Sequence, residues 1–469
     1  MVMLRRVCKA CLLLACASVC PGAWAAEAPP TVSKLPLSQA VKLALEYNGS
    51  LKRSRESFLT AQANLRIAEV LTTFEAGASG MLDKPAFDKS KVSFQGGGTY
   101  TISTLSGSSA SVQAVPIGTG NESASIGVTA RKPLRKGSGI LSRTSDAVRM
   151  AQYSLETNRA GLFVTEQSLV LEVINAYYNA LRSQKEIKVR EDAVSIAEQT
   201  TQFSKRRLEE ELAAEIEVSR AENRLAQTRD ELVRQRQRHS DAVDRLILLL
   251  GLAVGQTPEL VSEIPDSVAT VSSVDESIGN ALKNRAELRA LGYQIEDQQR
   301  EVGYAGDQLR SSLDLVGSYF SSSQDAEFGA SFFDRPSWTV GAEYTIPLDK
   351  RTLREERNTA RRQLTLLGET LRVERERIKD EVRAAHRALE AAKSSLGILD
   401  RNLKVTEQSL YLAQRMVAEG LVPNREILEA QQALTETQSG ILSARTDYYL
   451  AWVELKWSLG EDLTKVIAG

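Results

Sequence analysis

The sequence predicts a mainly helical protein with a smaller β-part, and three observations predict this fold class. Two long stretches, residues 134–257 and 348–422, contain no proline. Because proline breaks helix interiors, such stretches can hold helices of unusual length. The second stretch carries an apolar period of 3.5 residues, which is typical of a coiled coil. Residues 92–130 and 313–346 instead alternate apolar with small or polar side chains, which indicates strands.

The first 25 residues have the pattern of an export signal. A positive head with Arg5 and Arg6 precedes an apolar stretch at residues 10–19, and residues 23–25 read Ala-Trp-Ala, as a signal peptidase requires. The apolar stretch is about half of the roughly 20 residues that a membrane-spanning helix needs. We therefore expect cleavage at its end, and lipid attachment at Cys16 is the alternative that the sequence leaves open.

Composition excludes several classes of function. All four cysteines lie within the first twenty residues, so zinc fingers, thiol catalysis and a disulfide framework are excluded beyond them. The formal net charge of −1 gives no reason to expect nucleic acid as a partner. The two histidines are far apart, so we expect no cofactor, no metal and no enzyme activity. His239 occupies an apolar heptad position and is expected to be packed, whereas His386 lies among Arg and Glu and is expected to be solvated.

The clearest single element is a long helix from Arg351 to Glu419, which would reach on the order of 100 Å at about 1.5 Å per residue. The following return helix carries an apolar residue every seven positions from Ile427 to Leu455, and the same ladder occurs 209 positions earlier. The apolar positions of the long helix follow alternating steps of three and four residues, with two skipped: Leu364, Leu367, Leu371, Ile378, Val382, Ala385, Leu389, Ala392, Leu396, Leu399, Leu403 and Leu410.

The ladders belong to a longer internal repeat. Ile-Gly at residues 126–127 recurs as Val-Gly at 340–341, and Leu-Gly at 250–251 recurs at 459–460. A period of more than 200 residues is too long for a solenoid unit and indicates duplication of half a protein. The predicted domains are therefore the signal peptide, a first repeat over 26–270 and a second repeat over 271–469. Each repeat contains a short helix, two strands, a long helix and a return helix.

Each repeat contains its strands between the short and the long helix. The first pair is expected near residues 92–103 and 126–130, and the second near 313–319 and 338–346, while residues 106–121 are Ser/Gly-rich and are expected to form a loop. The four strands approach the roughly 9–11 residues that cross a bilayer. Soluble hairpins with one wet face are the alternative. A membrane barrel needs at least about eight strands, so several protomers would have to share one.

This duplicated order resembles the bacterial outer-membrane efflux protein family, the TolC-like channel-tunnels. Two cues of that family occur twice over nearly the whole mature chain. One is a Pro-Leu pair before the long helix, at residues 133–134 and 347–348. The other is the turn between the long and return helices, at residues 419–430 and, more weakly, 210–218, where Glu211 replaces the usual glycine.

The resemblance implies a homotrimer with twelve strands in one outer-membrane β-barrel and twelve coiled-coil rods in a tunnel, or α-barrel. It implies passive export of small molecules or secreted polypeptides across periplasm and outer membrane. The implied partners are outer-membrane lipid, a periplasmic adaptor and an inner-membrane pump or ABC transporter, with no nucleic acid. A secreted periplasmic coiled-coil adaptor or scaffold is the competing interpretation.

By this resemblance the periplasmic constriction falls on Glu426 and Glu429, with Glu217 as the first-repeat counterpart. In a trimer each position would form a ring of three carboxylates that favours cations. A simpler interpretation is that these acids stabilise the start of a helix through its dipole.

The helix-to-helix turns, or tips, are expected to seat the adaptor. The tyrosine and arginine that close the tunnel in family members are replaced by Val417 and Val422, which leaves Arg425 as the candidate gate contact. The residues assigned to adaptor docking are Leu212, Gly420, Leu421, Val422 and Pro423.

Overall fold

The computed structural model describes residues 34–83, 91–115, 124–211, 214–253, 255–256, 258–265, 268–323, 336–419, 421–423 and 425–468. The predicted export signal and two predicted tip residues, Leu212 and Gly420, lie outside this part of the chain. Within it, no helix combines the length and the apolar character that a membrane crossing requires.

Two very long helices dominate the described chain. They contain 67 and 68 residues and reach about 100 Å each at about 1.5 Å per residue. The second confirms the long helix predicted from Arg351. In chain order the helices are α1 (Leu37–Tyr47), α2 (Gly49–Ala68), α3 (Arg143–Glu209), α4 (Glu215–Leu250), α5 (Val274–Asn284), α6 (Ala286–Gln308), α7 (Arg351–Ala418), α8 (Arg425–Ser458) and α9 (Leu463–Ala468).

The order of elements is the same in both halves: two shorter helices, strands, a long helix and a return helix. Each return helix packs along the long helix before it, α4 against α3 and α8 against α7. Both return helices end at a glycine in the left-handed region, Gly251 at φ 70° and Gly460 at φ 72°. Glycine adopts that conformation without the Cβ penalty of other residues, so it terminates a helix efficiently.

The predicted heptad seam of α7 faces its neighbours within the chain. Ile378, Val382, Ala385 and Leu389 are buried, and the other seam leucines are partly buried. His386, which the sequence predicts to be solvated, is also buried, and its Nε2 lies 3.0 Å from the Ser277 hydroxyl of α5. That prediction was wrong because α5 crosses α7 beside the seam and covers the flanking position.

Numbered in chain order, the short strands β1 (Lys34–Leu35) and β6 (Glu259–Leu260) are set apart, and six strands form one antiparallel sheet in the order β2-β3-β4-β5-β7-β8. The prediction of four strands was too low, because the described sheet has six. One addition is β2, and the other is β4, which falls within the predicted Ser/Gly-rich loop. The strands are β2 (Thr72–Asp83), β3 (Lys91–Ser103), β4 (Ser109–Val115), β5 (Ala124–Pro133), β7 (Ser312–Ser323) and β8 (Pro336–Thr345). The mainly helical fold class with a smaller sheet is confirmed.

The main apolar core lies where α1, α3, α4 and the C-terminal helices meet. Tyr177 is fully buried there, and its hydroxyl donates to the Leu35 carbonyl at 2.9 Å. Leu35 belongs to a two-stranded parallel ladder between β1 (Lys34–Leu35) and β6 (Glu259–Leu260). The tyrosine hydroxyl has a polar partner, which a buried phenol requires. This core fixes the segment before α1 against the segment that follows α4.

Candidate channel site

The sheet has one apolar and one polar face. Residues opposite each other in neighbouring strands share a face, and the register places Tyr100, Val112, Val128, Tyr319 and Trp338 in one row. Trp338 is 77% exposed, although it is the largest side chain of the row. None of the described elements covers this face, and a broad uncovered apolar face marks a surface for contact with lipid or protein.

The polar face carries an ion cluster near the helical end of the sheet. Arg131 binds the carboxylate of Asp314 through Nε at 3.2 Å, and its Nη2 lies 3.3 Å from Glu343. Asp314 is almost fully buried, whereas Arg131 and Glu343 are about half exposed. The sequence analysis missed this cluster because its members lie on three strands from both repeats. The sequence signal for this cluster was the alternation of residues along the strands, which places the charged side chains on one face.

The second-repeat tip connects α7 to α8. The Leu421 amide donates to the Met416 carbonyl at 2.9 Å, and the Glu426 amide donates to the Pro423 carbonyl at 3.2 Å. The first contact closes the end of α7, since the last carbonyls of a helix lack partners within it. Leu421 is 66% exposed and Val422 is half-buried. The predicted docking residues within the described chain therefore do form an exposed, partly apolar turn.

The predicted constriction acids lie on the first turns of α8. Glu426 and Glu429 are both exposed, and Glu429 forms an ion pair with Arg425 one turn earlier. The hydrogen bond to Glu429 raises the pKa of the Arg425 guanidinium. Arg425, the candidate gate contact, thus binds within its own helix in this chain. Its ion pair is with Glu429, and the charge of Glu426 also helps to raise the Arg425 pKa.

At the first-repeat tip the chain turns through Glu211, which has a positive φ of 54°. Its amide donates to the Leu208 carbonyl at 3.0 Å. Glu211 therefore adopts the conformation that glycine favours, at a cost of roughly 1–2 kcal/mol. Glu217 lies in the first turn of α4 and is partly exposed. Glu217 and Glu426 occupy matching places at the starts of α4 and α8. Whether the two acids act together stays a prediction, because one protomer does not contain the trimer.

A contact between the two long helices lies just above the tips. Nη1 of Arg207, near the end of α3, donates to the Val417 carbonyl at 3.3 Å. Val417 itself is buried, with 1% of its surface exposed. The sequence analysis did not identify Arg207, because no heptad or repeat signal distinguishes it from the other arginines of α3.

The remaining candidate polar groups are structural. His239 is partly buried and lies 3.0 Å from the Ser183 hydroxyl, and burial lowers its pKa, in agreement with the packed role predicted for it. Arg300 of α6 is buried and pairs with Asp146 of α3 and Asp297. Among the described residues, no group of three or more His, Cys, Asp and Glu side chains could hold a metal ion.

The described chain combines two pairs of long helices with a sheet that has one apolar face. The outer membrane efflux protein family matches residues 92–252 and 277–461. The chain belongs to this family of outer-membrane channel proteins, so it is an outer-membrane efflux channel component whose helical part extends into the periplasm.

Curated relatives agree with this assignment. Nodulation protein T of Rhizobium leguminosarum bv. trifolii is 21% identical over 330 residues, which cover 70% of each chain. The probable efflux pump outer membrane protein TtgC of Pseudomonas putida is 23% identical over 354 residues, covering 73% of this chain and 69% of that protein.

Solved structures share the fold. CusC superimposes with a TM-score of 0.73 at 16% identity, covering 91% of this chain and 92% of the other. The CmeC outer membrane channel of Campylobacter jejuni gives 0.71 at 15% identity, with coverages of 95% and 93%. The open state of the Neisseria gonorrhoeae MtrE outer membrane channel gives 0.70 at 17% identity, with coverages of 91% and 89%.

Proposed function

We propose that the chain is one protomer of a homotrimeric channel-tunnel that docks to a periplasmic adaptor and an inner-membrane pump. The assembled tunnel conducts small molecules or secreted polypeptides passively through the periplasm and the outer membrane. The observation that carries this proposal is a sheet with an apolar outer surface joined directly to two helices of about 100 Å. That length matches a periplasmic span rather than a bilayer, whose apolar core is about 30 Å thick.

A second apolar stripe on α7 supports the trimer. It has two parts, a pair seven residues apart and a later set of three at seven-residue steps, and each member lies away from the buried seam and exposes more than half of its surface in one protomer. A coiled coil needs a partner for every apolar seam, so the stripe requires another chain. The stripe consists of Leu366, Val373, Ile398, Val405 and Leu412.

The acidic tip supports the conduction pathway. With threefold symmetry, Glu426 forms a ring of three exposed carboxylates at the narrow end, while Glu429 is partly neutralised by Arg425. Converging carboxylates favour cations and repel each other. Glu426 therefore contributes more to ion selectivity than Glu429 does.

The apolar tip supports adaptor docking. Leu421 is exposed beside Val422 and Pro423, where α7 turns into α8. An exposed leucine at the far end of a charged rod has no packing role within its own protomer, and the adaptor would cover it. Leu212, which lies outside the described residues, is proposed as the docking residue of the first-repeat tip from its place in the sequence alone.

The test is single-channel conductance of the purified protein in a planar bilayer under salt gradients. Glu426→Gln removes an exposed carboxylate from the proposed constriction, so we expect a clear loss of cation selectivity. Glu429→Gln leaves Arg425 without this ion-pair partner, so we expect a smaller loss of cation selectivity than in Glu426→Gln, and Arg425→Gln should partly restore it. The matched control is Glu390→Gln, an exposed acid near the middle of α7, which should leave selectivity unchanged.

Two outcomes test two different parts of the proposal, the position of the constriction and the channel itself. Pores whose selectivity is the same in Glu426→Gln and in the wild type would place the constriction elsewhere. A purified protein that remains in solution without detergent and forms no pores would contradict the channel itself.

A further inference from the structure

We propose that a groove on the apolar face of the sheet binds one anionic phospholipid, with Lys132 as the contact to the lipid phosphate. The groove lies at the helical end of the sheet, where the sheet meets the periplasm. The proposed function places this face in lipid, and the site rests on that placement. A groove of this kind gives the protein a preference for one class of lipid, which a uniform apolar surface does not provide.

Lys132 is the charged residue of the apolar face. Alternate residues of a strand, and residues opposite each other in neighbouring strands, share a face, and the register places Lys132 with Ala130 of β5 and Leu315 of β7. Among the residues that the register of the described strands assigns to this face, only Lys132 carries a charge. The preceding Arg131 lies on the polar face and pairs with Asp314, whereas Lys132 forms no ion pair with any described residue.

The apolar face continues past Lys132 toward the helices. The Leu134 amide donates to the Leu313 carbonyl at 2.8 Å, one residue beyond the end of β5. Leu134 therefore falls on the same face as Lys132, and it is 51% exposed. The lysine is thus flanked along its strand by apolar residues on both sides. A charge in apolar surroundings is costly unless it is paired, and the phosphate of a lipid headgroup can supply the missing partner.

A groove of about 440 Å³ lies next to this lysine. Its floor is low because the row across β4, β5 and β7 consists of the small residues Ala110, Ala130 and Gly317. Ile102 and Val340 lie at the two ends of the same row and form the larger side walls. A narrow apolar trough of this shape fits a linear acyl chain.

The helical edge of the groove carries hydroxyl groups. Thr104, Ser108 and Ser109 line it at the turn between β3 and β4. This turn is held against the start of α3, where the Ser142 hydroxyl donates to the Leu105 carbonyl at 2.6 Å. The turn therefore lies at the periplasmic end of the sheet, at the level of the inner-leaflet headgroups. Hydroxyl and ammonium groups both donate hydrogen bonds to phosphate, so the groove joins an apolar floor to a polar edge.

The charge of Lys132 selects among phospholipids. A zwitterionic headgroup such as phosphatidylethanolamine brings its own ammonium group, which competes with the lysine for the phosphate. An anionic headgroup such as phosphatidylglycerol has no cation, so its phosphate keeps its full charge for Lys132. We therefore expect an anionic phospholipid of the periplasmic leaflet as the occupant.

The experiment is native mass spectrometry of the purified protein in detergent, with phosphatidylglycerol or phosphatidylethanolamine added. We expect the wild type to retain phosphatidylglycerol in preference. Lys132→Gln should reduce this preference about fivefold, since one lysine near anionic lipid contributes on that order, and Lys132→Arg should keep it. The control is Lys404→Gln, an exposed lysine of α7 far from the sheet, which should leave the preference unchanged.

A second variant tests the groove while it keeps the lysine. An added Cβ at Gly317 meets nothing within 4 Å, and strands favour β-branched residues, so Gly317→Val fills the groove without a clash. We expect this variant to retain less of both lipids. The matched control is Gly341→Val, which also meets nothing within 4 Å but lies on the polar face of β8. It should retain lipid as the wild type does.

The site and the channel fail in different ways. A preference for phosphatidylglycerol that is the same in Lys132→Gln and in Lys404→Gln would overturn the inference, and so would unchanged lipid retention in Gly317→Val. If the same preparations form pores in planar bilayers, the proposed channel stands without this site. If they form no pores, the proposed function fails with it.

Discussion

The two repeats connect their short helices to the end of the return helix through different side chains. In each, a break between two short helices docks onto the end of the return helix. In the first repeat Asn48 lies at the break, where its amide donates to the Leu249 carbonyl at 2.9 Å. In the second repeat Arg285 lies there, and its Nε donates to the Ser458 carbonyl at 3.0 Å. Leu249 and Ser458 are separated by the 209 positions of the repeat.

The two side chains differ in what else they hold. Asn48 is neutral and caps α2, where its oxygen accepts from the Leu51 amide at 3.2 Å. Arg285 is buried, pairs with Glu287 at 3.0 Å and Glu381 at 2.8 Å, and lies over the Trp457 ring. The two joints are alike in geometry and differ in chemistry. The first uses a local cap, and the second uses a charged contact that joins three helices.

The largest expected effect on stability comes from substitution of Arg285, the arginine of the second joint. Arg285→Ala leaves two partly buried carboxylates without their cation, and removal of one partner of a buried pair typically costs about 3–5 kcal/mol. Asn48→Ala removes a cap, for which about 0.5–2 kcal/mol is typical. The free energies of unfolding are to be compared in detergent by far-UV circular dichroism. Equal losses in the two variants would contradict the difference drawn between the joints.

An intermediate effect is expected at the glycines that end the return helices. Gly251→Ala and Gly460→Ala both place a Cβ on a left-handed residue, which costs roughly 1–2 kcal/mol. At Gly251 the new Cβ also lies 2.7 Å from the Tyr47 carbonyl oxygen, whereas at Gly460 the nearest backbone atom is 3.1 Å away. We therefore expect Gly251→Ala to lower the thermal midpoint more.

The control is Gly368→Ala on exposed α7, where a Cβ meets nothing within 4 Å. It should raise the midpoint, since alanine favours helix over glycine by about 0.5–1 kcal/mol. A larger drop in the thermal midpoint for Gly460→Ala than for Gly251→Ala would contradict this prediction. It would show that the first joint is the less closely packed of the two.

The smallest expected effect concerns the tips. Glu211 has a left-handed backbone, so Glu211→Gly should stabilise the first-repeat tip by about 1 kcal/mol. The neighbouring Glu210→Gly is the control, because Glu210 has an ordinary φ of −84° and glycine there only loosens the chain. Thermal unfolding of both variants checks this. A gain for Glu210→Gly equal to that of Glu211→Gly would remove backbone strain as the cause.

Sequence reasoning worked best where packing is periodic along one chain. The seam that contains Ile378 and Val382 predicted the long helix correctly, because a coiled coil requires an apolar residue every 3.5 positions. Duplication of the ladders then located the second copy of each element.

Sequence reasoning predicted the sheet and the contacts between repeats least well. Ala, Gly and Ser make up five of the twelve residues of β2 and four of the seven of β4, which resembles loop composition, although Val112 and its neighbours do alternate. Such small residues suffice where a strand face is not covered by a protein core. His386 and Arg207 acquire their roles from α5 and α7 respectively, and a pattern read along one segment does not contain the neighbour that crosses it.

The most direct measurement of the central claim is a cryo-electron microscopy map of the purified protein in detergent. The account predicts a threefold particle with a continuous lumen, in which a closed sheet at one end is followed by a helical tube of about 100 Å. The tube should narrow at Glu426, with the stripe of Ile398 and Val405 buried between protomers. A monomeric particle, or a helical rod without a lumen, would contradict the account.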